Sequence, residues 1–131
     1  MIKLYLSPSC SSCRKAKAWL ISNHISFEEI NIRNTLISEK ELFHILSLTD
    51  SGTDDIISKR SLLYQKLNLN FNDIVLSEAV KIINEHQSLL KRPLIVDDKR
   101  IQIGFNEEDI RKFIPRYVRD YQKMGLYRQN L

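Results

Sequence analysis

Ser7-Pro8-Ser9-Cys10-Ser11-Ser12-Cys13-Arg14-Lys15 is the stretch whose reading decides the fold. It holds the chain's two cysteines, three positions apart. Before it, Ile2, Leu4 and Leu6 alternate with polar residues and read as a strand, which Pro8 breaks. Ser9 is placed to cap a helix that begins near Cys10 and sets Ala16, Trp19 and Leu20 on one face. Residues 22–26 end that helix, and Phe27, Ile30 and Ile32 mark a second strand. Strand, helix and strand in succession predict a parallel, right-handed βαβ unit.

Downstream, Ser38-Glu39-Lys40-Glu41 fits a capping box, and Leu42, Ile45 and Leu46 supply the helical stripe behind it. Residues 49–53 form a loop in which Gly52 is free to take positive φ. A helix is predicted over 56–67 from Ile57, Leu62, Leu63 and Leu67, with Lys59, Arg60 and Lys66 on its polar side. Ser77 is placed to cap the next helix, which buries Val80, Ile82 and Ile83. Arg92-Pro93 then precedes an apolar strand, Leu94 to Val96. Asp97-Asp98-Lys99 turns the chain, and Arg100 to Ile103 alternates as its hairpin partner. Asn106 to Asp109 is an acid-rich helix start, suited to the positive end of the helix dipole. The plan is α/β: a mixed four-stranded sheet, βαβ then ββα. A helical insertion, about residues 36–90, separates the second and third strands of one domain spanning 1–131.

A chain of 131 residues with 43% apolar and 27% charged residues has the size and composition of one globular domain. No run approaches the roughly 18 apolar residues that span a membrane. The opening Met1 to Tyr5 is too short for a signal peptide, so the expected compartment is the cytoplasm. There a disulfide is transient rather than structural. Residues 111–131 carry a net +5, with Asp120 their lone acid, whereas the first 110 are near neutral. A basic end suits nucleic acid or an acidic surface, and equally a solvated terminus. His24, His44 and His86 have no ligand spacing with the cysteines, so no metal is expected.

Cysteines at i and i+3 of a helix face the same way, with Cβ atoms about 5–6 Å apart. Small shifts then bring them into the disulfide range, where Cα atoms lie about 4.4–6.8 Å apart. At a helix N-terminus, unpaired N–H groups and the helix dipole favour the reactive thiolate. Cys10 holds that position, and Arg14 nearby adds positive potential. Cys10 is therefore expected to be oxidised first and Cys13 to resolve the adduct into a disulfide.

Several stretches together carry a family resemblance. They are residues 7–16 (SPSCSSCRKA), 50–58 (DSGTDDIIS), Arg60-Ser61, Gln65 to Asn68, Ile83 to His86 and Leu90-Lys91-Arg92-Pro93. In these the chain resembles the thioredoxin-like branch shared by arsenate reductases and Spx transcriptional regulators, and it resembles Spx most closely, over nearly its whole length. The resemblance implies a redox-sensing global regulator that activates or represses promoters under disulfide stress and needs no cofactor. It implies that Cys10 and Cys13 form the disulfide switch and that Arg92, at a cis-proline bend, senses the thiolate charge. It implies that the Gly52 loop docks on the C-terminal domain of the RNA polymerase α subunit. Arg60, Lys66 and Lys59 are candidates for promoter contact only within that complex, because no autonomous DNA-binding motif is present. Turnover by a Clp-type protease and its adaptor is implied as well.

The alternative is a thiol-dependent oxidoreductase of the arsenate-reductase type. Those enzymes set a cysteine among three arginines, because an oxyanion needs converging cations. Arg60 and Arg92 match two of them, but the third position falls at about Gly104-Phe105, where there is no cation. The expectation is that the chain is not an enzyme.

Overall fold

The computed structural model of the chain describes residues 1–123. Strand β1 (Ile2–Leu6), helix α1 (Ser11–Ser22) and strand β2 (Phe27–Asn31) form the expected parallel βαβ unit. Strand β3 (Leu94–Val96) runs antiparallel to β1, and β4 (Ile101–Ile103) runs antiparallel to β3. The order β2-β1-β3-β4 completes the mixed four-stranded sheet that the sequence predicts.

Side chains alternate across a strand, and this divides the core in two. Tyr5, Leu94 and Val96 face the helical insertion on one side of the sheet. Leu4, Leu6 and Ile95 face the other side, where they meet Cys13, Ala16 and Leu20 of α1 together with Ile110 and Phe113. Cys13 is thus a core residue of the α1 side.

The insertion contains α2 (Glu39–Ser47), α3 (Thr53–Ile56), α4 (Leu62–Leu67) and α5 (Leu76–Glu85). Ser38 caps α2 by accepting the Glu41 N–H at 3.1 Å. The reciprocal half of the capping box is replaced. The Glu41 carboxylate turns instead to Lys3 Nζ and Tyr5 Oη, each at 2.9 Å, and ties α2 to β1.

Three expectations are corrected here. The helix predicted over 56–67 is two short helices, α3 and α4, separated by a strap that is extended at Ile57 and turns at Lys59 and Arg60. Ile56 and Ile57 are both fully buried, and Ile57 bridges Leu90. Two 2.7 Å bonds, Ser58 N–H to the Leu89 carbonyl and Lys91 N–H to the Ile56 carbonyl, replace the helical ladder there. Ser77 lies inside α5, whose start at Val75 has no side-chain cap, because the buried face (Ala79, Val80, Ile83) sets the helix boundaries. After β4, Asn106 Oδ1 accepts the N–H groups of Glu108 and Asp109, opening a 3-10 helix over Asp109–Phe113. Helix α6 (Arg116–Lys123) follows in the basic segment, and residues 124–131 lie outside the described residues. Among the described residues no helix is long and apolar enough to cross a membrane.

Candidate redox site

Strand direction brings the site together. β1 and β2 are parallel and end at the same sheet edge, with Leu6 opposite Asn31. β3 is antiparallel to β1, so it begins at that edge, and β4 returns to it. The residues just beyond these ends therefore converge. Cys10 follows β1, Arg33 follows β2, Arg92 precedes β3 and Gly104 follows β4. Together with Ser9, Ser58 and Lys91 they line an open groove of about 610 Å³.

Cys10, rather than Ser9, caps α1. Its backbone is extended (φ −96, ψ 118), and its Sγ accepts the Cys13 N–H at 3.2 Å. Ser9 Oγ instead accepts a hydrogen bond from Arg33 Nη2 at 3.0 Å. The Cys10 thiol donates in turn to the Arg92 carbonyl, with sulfur and oxygen 4.0 Å apart. Both cysteines are free thiols, Cys10 partly exposed and Cys13 buried. Burial, and then the hydrogen bond with Cys10, push the Cys13 thiol up to about 12, although a hydrogen bond with the Ser7 backbone and, less strongly, the Arg92 charge pull the other way. Cys10 is thus the accessible sulfur, and Cys13 stays protonated beneath it.

Arg92 stands at a cis peptide bond with Pro93, as the resemblance implies, its guanidinium reaching the Ser88 carbonyl at 3.4 Å. Arg14 does not line the groove. Its guanidinium bonds the Pro8 carbonyl at 3.3 Å. Arg33 was not among the sequence candidates. The available signal was positional, since the residues after parallel strands converge on one crevice. Gly104 takes φ +77, and a Cβ there would meet nothing within 4 Å. At the end of β4 the groove wall is Ile103 and Gly104, which carry no charge.

The remaining candidates lie on the insertion and are not among the residues lining the groove, although Lys59 and Arg60 directly follow Ser58, which is. Gly52 opens α3 with φ +69 and ψ −131, a conformation that glycine adopts without strain. Its loop is held by Thr49 Oγ1, which accepts the Gly52 N–H at 3.0 Å, and by Asp55, whose carboxylate accepts from Asp50 and Ser51. A Cβ at Gly52 would also meet open space. Lys59 and Arg60 sit on the strap rather than on a helix. Lys59 is paired with Asp54 at 2.9 Å, so its charge is partly committed, while Arg60 and Lys66 are exposed. Among the described residues no group of His, Cys, Asp and Glu is arranged to hold a metal ion.

This sheet, with a thiol at a helix cap beneath a cis-proline bend, defines a thioredoxin-like fold of the kind that arsenate reductases share. The ArsC family model matches residues 5–113. An ArsC-family-related protein of Bacteroides fragilis shares the fold with a TM-score of 0.75 at 26% identity, covering 86% of this chain and 96% of that one. An arsenate reductase of Vibrio cholerae, 24% identical, shares it with a TM-score of 0.74 over 86% of this chain and 97% of its own. Sequence likeness is much higher to another set of relatives. The global transcriptional regulator Spx of Streptococcus pneumoniae is 57% identical over 119 residues, 91% of this chain and 90% of the relative. Spx of Bacillus subtilis is 52% identical over 122 residues, 93% of each chain. The chain belongs to the Spx family of ArsC-like proteins.

Proposed function

We propose that the chain is a cytoplasmic, redox-responsive global regulator of transcription, which docks through the Gly52 loop on the C-terminal domain of the RNA polymerase α subunit. The observation that carries this reading is the 57% identity to a global transcriptional regulator over nine-tenths of that protein.

The geometry supplies a route from thiol to surface. On oxidation the two thiols give up two protons and two electrons to the oxidant, and a Cys10–Cys13 bond forms. A disulfide has no S–H, so the contact from Cys10 to the Arg92 carbonyl is lost. The segment ending at Arg92 is hydrogen-bonded to the strap, through Lys91 to Ile56 and Ser58 to Leu89. That strap leaves α3, which Gly52 opens, and leads into Arg60 and α4. A perturbation at Arg92 thus reaches both the docking loop and the exposed cations Arg60 and Lys66, which meet promoter phosphates only once polymerase holds the chain there. Lys59 contributes less while it stays paired with Asp54. A coupling of about 1–3 kcal/mol is enough to change occupancy five- to 150-fold. Removal by a Clp-type protease and adaptor completes the proposal.

The test is transcription in vitro with purified polymerase on a promoter that responds to the chain. The disulfide form is expected to change transcript yield at least fivefold relative to the dithiol form, and the two Cys→Ser variants to behave alike under oxidant and reductant. Equal yields from both forms of the wild-type chain would refute redox control.

A further inference from the structure

The groove beside Cys10 carries three cationic side chains, Arg33, Lys91 and Arg92, and no carboxylate among its lining residues. Docking on polymerase does not account for this grouping, because the Gly52 loop lies elsewhere. Arg33 is built in rather than loosely displayed. Its guanidinium is held by Ser9 Oγ at 3.0 Å, and its own N–H donates to Asn31 Oδ1 at 3.0 Å. The loop that carries it is braced by the Gln87 side chain, which accepts from Ile37 N–H at 2.6 Å and donates to the Ile32 and Thr35 carbonyls at 2.9 and 2.7 Å. A guanidinium has five N–H donors in a planar fork, so Arg33 retains donors for a carboxylate after bonding Ser9. The groove's size suits a ligand of tripeptide scale, since small-molecule pockets run to about 300–1,000 Å³.

A positive groove with a reactive sulfur in its lining selects reagents of one chemical class. We propose that the groove is a docking site for small disulfides bearing carboxylates, which react with Cys10 by exchange, so that the low-molecular-weight thiol pool sets the switch alongside direct oxidants. The proposal deepens the redox reading of Cys10 and Cys13 and rests on it. In the first step Cys10 gives its proton to solvent and its sulfur attacks one sulfur of the disulfide R–S–S–R. A Cys10–S–S–R bond forms, the other half leaves as R–S⁻ and takes up a proton, and Cys10 is oxidised as that half is reduced. In the second step Cys13 attacks Cys10 Sγ, releasing the second R–SH and leaving the Cys10–Cys13 disulfide. Each small disulfide consumed yields two small thiols. Arg33 and Lys91 hold the carboxylates of the incoming reagent, and Arg92 lies beside the sulfur.

The experiment reacts the reduced wild-type chain with three probes: oxidised glutathione (anionic), hydroxyethyl disulfide (neutral) and cystamine (cationic). Rates are read from the small thiol released and normalised to the same chain unfolded in urea, which has the cysteines but no groove. After normalisation, oxidised glutathione is expected to exceed cystamine by about tenfold or more at low salt, with the gap closing in high salt. Arg33→Gln and Lys91→Gln should each lower the oxidised-glutathione rate several-fold while leaving hydroxyethyl disulfide unchanged. The same rate order in folded and unfolded chain, or variants indistinguishable from wild type, would overturn the proposal. Neither result bears on polymerase binding, which is measured separately with the Gly52 variants.

Discussion

The sulfur of Cys10 is also the cap of helix α1, accepting the Cys13 N–H at 3.2 Å. The same atom therefore serves helix stability and redox chemistry. Cys10→Ser replaces a weak sulfur acceptor by a strong oxygen cap and is expected to be at least as stable as the reduced wild type. Cys10→Ala, with no cap, should fall below Cys10→Ser by about 1 kcal/mol. Urea unfolding of the three proteins under reductant checks this, and equal stability of the Ser and Ala variants would show that the cap is not used.

Cys13 is 1% exposed, and its thiol is pushed up to about 12 by burial and by the hydrogen bond with Cys10. Iodoacetamide at pH 8 is expected to label Cys10 and spare Cys13 until the chain unfolds, as read by mass spectrometry of peptides. The sign for stability follows from linkage. Between the ordinary value of 9.0 and about 12 the unfolded chain has lost a proton that the folded chain keeps. The unfolded state then binds fewer protons, so stability falls as pH rises through that window, by at most about 1.4 kcal/mol per pH unit for this one group. Tyr5, raised by burial and by its bond to Glu41, acts in the same direction at higher pH. A Cys13→Ser variant should show a shallower alkaline decline.

Glu41 joins Lys3 and Tyr5 across the seam between α2 and β1. Burial alone would raise its carboxyl, but the hydrogen bonds from Lys3 and Tyr5 hold it below the ordinary 4.5. A depressed carboxylate stabilises the fold above its unfolded value, and the contribution is lost as pH falls from 4.5 through the folded value. Tyr5→Phe removes one charged hydrogen bond and is expected to cost about 1–2 kcal/mol at pH 7. It should also flatten the acid limb of a stability–pH curve.

Gln87 fills three hydrogen bonds of the loop that carries Arg33. Gln87→Ala leaves those backbone groups without their partner and should cost about 1–3 kcal/mol in thermal unfolding. Hydrogen exchange of the Ile37 amide should accelerate. An unchanged exchange rate would show that the brace does not hold the loop.

Much of the sheet was legible because alternation at Ile2, Leu4 and Leu6 and the proline before Leu94 leave few other readings. The two cysteines were legible for the same local reason, since spacing and helix position are sequence properties. Ile56 and Ile57 misled because two adjacent apolar residues fit a helix stripe as well as a buried strap. The deciding partners, Leu89 and Lys91, lie more than thirty positions away. Cys10 displaced Ser9 as the cap because Ser9 is engaged by Arg33, a contact between elements that local pattern does not encode. The role of Arg33 is not encoded locally either. It becomes visible only when strand direction brings the ends of β1 and β2 to one edge.

Docking at Gly52 is the central claim, and the loop geometry permits a clean measurement. Gly52 has positive φ but open space around its Cβ position, so any side chain strains the backbone without a clash inside the chain. Gly52→Ala and Gly52→Arg should therefore lose similar stability, about 1–3 kcal/mol. Only the arginine also projects a long cation into the approach path of a partner. Binding of the isolated C-terminal domain of the RNA polymerase α subunit is measured by calorimetry for wild type and both variants. The expected result is binding by wild type, retained binding by Gly52→Ala and none by Gly52→Arg. Absence of binding by wild type, or equal binding by Gly52→Arg, would contradict docking at this loop.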